Sequence, residues 1–175
     1  NHLTDDPACR RGIFLNEAMK YVTESGALNL IQFPYDTESC SRKASALQRQ
    51  TALNNRLLSF NKVFDAYGGQ VNRKIDPTVI KAQLNDSNAV VLGVHLDQSF
   101  IYETYGNRNV GRGRPIVWDY FQNNTLIDTA YHAMICVGYN DTIGAFKVMN
   151  SWGVDFGNDG FVWISESVIR EAVME

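Results

Sequence analysis

AYHAMICVGYNDTIGAFKVMNSWGVDFGNDGFVWIS, residues 130–165, decides the fold of this chain. Apolar residues crowd three short runs, 132–139, 145–149 and 160–164, and each reads as a strand. Asn140 and Asp141 open a turn between the first two. Gly153, Gly157 and Gly160 allow the longer loop between the second and third to return, because glycine takes backbone conformations that other residues resist.

Upstream the pattern differs. Residues 13–25 carry Phe14, Ala18, Tyr21 and Val22 at helical spacing, with Gly26 as the expected C-cap. Pro34 in QFPYD makes a turn. A second, mostly polar helix is expected over 44–58. Asp76 and Pro77 predict a third over 78–84, as N-cap and first-turn residue. The apolar run 89–96 reads as a buried strand, NRNVGRGRP (107–115) as a loop, and 167–173 as a short closing helix. Helices first and strands later argue α+β, divided into a helical part over 1–88 and a β-rich part over 89–175.

Composition bounds the function. The 175 residues are 45% hydrophobic, enough for a globular core. A net charge of −3 gives no global attraction to nucleic acid or acidic membranes, and no apolar run is long enough to span a bilayer. No signal peptide is visible, and the polar first residues read as mid-domain, so a segment is expected upstream. The three histidines are far apart, without cysteine or carboxylate at zinc-ligand spacing. Asp155, Asp159, Gly160 and Glu166 fit some positions of a calcium loop, but Gly157 fails another and FVWIS reads as a strand, so no metal is expected. No cofactor is expected either. Cys136, inside AMICVGY, is a core thiol.

The chemistry lies in His132 and Asn150, eighteen residues apart. Most histidines are satisfied by ordinary hydrogen bonds, and alone His132 would carry no function. Its pairing with an asparagine is informative. A neutral amide is the wrong partner for a histidine that must activate a serine. It suits a histidine paired with a thiolate, where the ion pair already exists and the third group only orients the ring.

With His132 opening a strand, Val-Gly-Tyr after it, and Asn150-Ser-Trp-Gly followed by spaced glycines, the segment 131–165 resembles the C-terminal half of papain-like cysteine peptidases. The resemblance implies the end of a helical lobe joined to a β-barrel-like lobe. It implies peptide hydrolysis with His132 as base and acid, Asn150 as orienter and Trp152 as a shield over their contact. Phe156 stands where the family has tryptophan. CRRGIFLNEAMKYVTESG…FPYD is similar to another family segment, in which a cysteine forms a structural disulfide and a glycine pair binds peptide. That likeness implies a Cys9–Cys40 bridge, an oxidising, secreted or lysosome-like compartment, and substrate contact at Gly12. Arg11 replaces the first glycine of the pair. Tyr131 and Ala133 would line the side-chain pocket.

The family's Cys-Trp nucleophile pair is absent from these residues. The nucleophile is therefore expected upstream of residue 1, on a segment or partner chain, and the isolated chain is expected to be inactive. Two alternatives stay open. Cys9, beside Arg10 and Arg11 and near a helix start, could itself be the nucleophile. The chain could also be a non-catalytic peptide-binding homologue.

Overall fold

A computed structural model describes residues 12–36, 42–64, 74–105, 115–122 and 130–175. The chain divides into two compact units, residues 1–62 and 63–175. Residues 77–85 pack with the sheet of the second unit.

In the first unit, α1 runs Leu15–Ser25. Gly26 ends it with φ +73°, donating its N–H to the Val22 carbonyl (3.0 Å). A Cβ on Gly26 would lie 1.8 Å from the Ala52 carbonyl oxygen, so glycine is required both for the backbone angle and for the close approach. α2, Ala46–Ala52, begins in a capping box. Ser45 Oγ accepts from Gln48 N–H, and Gln48 Oε1 accepts from Ser45 N–H. It is shorter than the expected 44–58. Leu53–Asn55 tighten into a 3₁₀ turn, and Arg56 is extended. Asn54 and Asn55 are poor helix formers, and Leu58 is fully exposed, so no packing sustains a longer helix.

The second unit carries the sheet. α3, Pro77–Asn85, starts as expected, with Asp76 accepting from Thr78 N–H (3.0 Å). That bond holds the Asp76 carboxyl below its ordinary pKa. β1 (Val90–Leu96), α4 (Gln98–Tyr105), β2 (Val117–Trp118), β3 (Ala130–Asn140), β4 (Ala145–Met149), β5 (Phe161–Ser165) and α5 (Glu166–Ala172) follow. The strands pair in the order β1-β3-β4-β5-β2. All pairs are antiparallel except β2 with β5. α4 and β2 were not anticipated from the sequence.

Alternation sets the core. Val90, Leu92, Val94 and Leu96 of β1 are buried, and so are Met134 and Cys136 of β3 and Val162 and Ile164 of β5. Ile80, Val168 and Ile169 from α3 and α5 join the same cluster, as does Phe100 of α4. Burying each large apolar side chain contributes roughly 1.5–3 kcal/mol, so this face dominates the stability of the unit. Lys81 fixes the helices to the sheet. Its ammonium lies 2.6 Å from both Asp141 in the β3–β4 turn and Glu166 at the start of α5. Those two hydrogen-bonded carboxylates raise its pKa. Among the described residues no helix is long and apolar enough to cross a membrane.

Candidate active site

His132 and Asn150 come together because β3 and β4 are neighbours. Ile135 pairs with Met149 at the end of the ladder. One step further would set Asn150 opposite Met134, on the face that His132 also shares by the two-residue period. Asn150 Oδ1 lies 2.7 Å from His132 Nε2.

The geometry fixes a tautomer. Asn150 Oδ1 also accepts the backbone N–H of Ser151 (2.7 Å). The atom facing that donor must be the amide oxygen, so His132 Nε2 must carry the proton. Nδ1 then holds the lone pair of the neutral ring and is the nitrogen available for proton transfer. Asn150 is buried, and its backbone N–H donates to Gly160 O (2.9 Å), which ties it to the far end of its loop. Its Nδ2 is buried without a partner among the described residues.

Trp152 lies against His132. Its ring lies 5.1 Å from the His132 ring, tilted by 40°. Behind it stand two buried phenylalanines. Phe156 meets Trp152 edge-on at 5.2 Å, and Phe100 meets it edge-on at 5.7 Å. An aromatic wall beside the ring would lower the local dielectric, the condition under which an imidazole–amide hydrogen bond strengthens. Phe100 was missed in the sequence. The available signal was Asp97, a helix-capping residue type directly after the β1 run.

The other expected site residues are distributed as follows. Tyr131 and Ala133 flank His132 on the opposite face of β3, both exposed. Tyr131 stacks on His95 across the β1–β3 pair, with rings 5.2 Å apart and 22° from parallel. Ala133 faces Gly93. Gly12 is exposed in the first unit, with open space where a side chain would stand. Cys9 and Cys40 lie outside the described residues, as does most of the loop expected over 107–115. Among the described residues no three His, Cys, Asp or Glu side chains cluster in a way that could hold a metal ion. Glu166 is engaged by Lys81 instead.

Cys136 occupies the inner face of β3 and is fully buried. Its thiol points to the Gly138 carbonyl (3.6 Å), and burial pushes its pKa up from 9.0 to about 11. It is an inert core thiol. An aromatic disulfide reagent at pH 8 should leave Cys136 unmodified until denaturant unfolds the second unit. The folded state prefers the protonated thiol, so that preference is intact below pH 9 and is lost as pH rises through about 11. Cys136→Val should remove this alkaline loss, read as the urea midpoint from pH 8 to 11.

A family model described as "Papain family cysteine protease" matches residues 2–175. No curated protein matches the chain. Among solved structures it is similar to xylellain, a cysteine protease from Xylella fastidiosa. The TM-score is 0.66 at 21% identity, over 93% of this chain and 59% of that one. It is also similar to digestive procathepsin L2 proteinase from Tenebrio molitor larval midgut, with TM-score 0.56 at 18% identity, over 93% and 46% of the two chains. Bromelain protease from Ananas comosus gives 0.60 at 14% identity, over 93% and 67%. These identities establish a shared fold, and the chain spans only about half to two thirds of each relative's length.

Proposed function

The chain belongs to the papain family of cysteine proteases, and from that premise we propose that it supplies the histidine and asparagine of a thiol-dependent peptidase whose nucleophilic cysteine lies upstream of residue 1. The observation that carries this reading is the 2.7 Å contact from Asn150 Oδ1 to His132 Nε2, with its tautomer fixed by the Ser151 N–H.

In the proposed reaction, Nδ1 of His132 takes the thiol proton and forms a thiolate–imidazolium pair. The thiolate attacks the scissile carbonyl carbon. The tetrahedral adduct expels the amine, which leaves with the Nδ1 proton, and a thioester remains. Nδ1 then accepts a proton from water as the water attacks the thioester, which releases the acid and regenerates the thiol. Throughout, Asn150 holds the Nε2–H and Trp152 excludes water. The substrate is a peptide or protein, with Gly12, Tyr131 and Ala133 as proposed contacts. Cys136 is excluded as nucleophile by its burial. The family's usual habitat supports a secreted or lysosome-like location, with Cys9–Cys40 as a structural disulfide.

The test is covalent labelling of the complete protein by a peptidyl epoxide, followed by mass spectrometry. A labelled cysteine upstream of residue 1 is the expected result. A label on Cys9 would move the nucleophile into this chain. No label on any cysteine, with peptide still bound, would make the protein a peptide-binding homologue.

A further inference from the structure

Phe100 backs Trp152 only if the first turn of α4 is held in place, and the device that holds it is a buried polar cluster. Asp97 and Ser99 are both buried, an expensive arrangement unless every polar atom is partnered. Here the partners are present. Asp97 Oδ1 accepts the Ser99 N–H (3.0 Å) as an N-cap does, and also faces Ser99 Oγ. Asp97 Oδ2 accepts the backbone N–H of Gln122 (2.6 Å). Ser99 Oγ accepts from Trp118 Nε1 (2.9 Å) and lies 2.6 Å from the Tyr120 carbonyl oxygen. Trp118 Nε1 reaches that same carbonyl at 2.8 Å.

The cluster therefore ties the start of α4 to residues 118–122 at two points. In the first turn of α4, the Phe100 ring is fully buried between two indoles. It meets Trp118 edge-on at 5.0 Å and Trp152 edge-on at 5.7 Å, and it stacks with Phe156 at 5.9 Å. Trp152 in turn lies against His132.

We propose that Asp97 and Ser99 are positioning residues for the His132–Asn150 pair, acting through Phe100 and Trp152. Neither touches the imidazole. They fix the helix that carries the ring that supports the indole, and the indole shields the Nε2–H···Oδ1 bond. A plain capping role for Asp97 would explain the bond to Ser99 N–H. It would leave unexplained why the second carboxylate oxygen and the serine hydroxyl are both spent on the segment that presents Trp118. The inference rests on the reading of His132 and Asn150 given above, and its test does not depend on catalysis.

The test follows the His132 Nε2 proton by imidazole NMR in the complete protein. In the wild type this proton should be observed, slowed in exchange by the indole. Ser99→Ala and Phe100→Leu should each speed its exchange roughly tenfold or more, the scale set by disturbing a buried donor's partner. Asp97→Asn, which keeps an oxygen for the Ser99 N–H, should give a smaller increase than Asp97→Ala. Ile80→Val, a core change outside the cluster, controls for general loss of stability and should leave the exchange near the wild-type rate. If Asp97→Ala does not fold, Ser99→Ala and Phe100→Leu decide. Exchange in those two equal to the Ile80→Val control would overturn the proposal. So would a wild-type proton already exchanging too fast to detect. Loss or retention of peptide hydrolysis in the complete protein bears on the catalytic reading and moves none of these rates.

Discussion

Replacing His132 by alanine in the complete, thiol-bearing protein should lower kcat for peptide hydrolysis by about 10³-fold or more, with KM nearly unchanged. In the proposed reaction the imidazole does two things, ionising the thiol and protonating the leaving amine, and among the described residues no side chain beside it can take over either. Across the β1–β3 pair His132 faces Val94, and its bonded partner is an amide that cannot exchange protons at neutral pH. His95, the nearest other imidazole along β1, projects to the opposite face and stacks on Tyr131. Asn150→Ala should cost less, about 10²-fold, because the ring keeps its chemistry and loses its orientation. Asn150→Asp is the informative companion. A carboxylate also accepts the Nε2–H, but its charge stabilises the imidazolium independently of the thiolate, so the pH–rate profile should move while the peptide KM does not. Unchanged hydrolysis in His132→Ala, measured on a fluorogenic peptide, would refute the catalytic assignment.

The parts of this site that were legible in the sequence are those encoded locally. His132 and Asn150 each sit at the end of an apolar run, and the glycines after Asn150 announce the loop. The strands over β3, β4 and β5 were readable because one face of each is buried, which imposes alternation or an apolar run. α4 was not readable. QSFIYETY is rich in aromatic and β-branched residues that suit strands, and the helix is held by Asp97 and by packing of Phe100 rather than by propensity. β2 has two residues, and its pairing is parallel to β5, more than forty positions away. Nothing local specifies such a contact. α2 ends before the mostly polar stretch 44–58 does, because Asn54 and Asn55 are poor helix formers and Leu58 finds no packing. The aromatic wall behind Trp152 thus depends on the least legible elements, while the His132–Asn150 pair depends on the most legible ones.

The loop that delivers Asn150 gives the second large effect. Gly157→Ala should destabilise the second unit by roughly 2–4 kcal/mol, through left-handed backbone strain and a steric clash that must be relieved. Gly157 has φ +56°, and an added Cβ would lie 2.2 Å from the Phe161 carbonyl oxygen. That oxygen cannot retreat freely, because it accepts the Asn158 N–H at 2.8 Å in the turn that starts β5. Gly153→Ala separates the two causes. Gly153 has φ +86° but open space where a Cβ would go, so only the backbone term applies, about 1 kcal/mol. All three tryptophans, at 118, 152 and 163, belong to the second unit, so denaturant unfolding followed by their fluorescence reports on that unit alone. Equal midpoints for the two variants would show that the clash is relieved at no cost. A larger loss in Gly157→Ala should also appear at the site, because Asn150 N–H bonds to Gly160 O and Gly160 N–H to Phe156 O. A shift at Phe161 is carried through those two bonds to Asn150, whose Oδ1 bonds His132 Nε2.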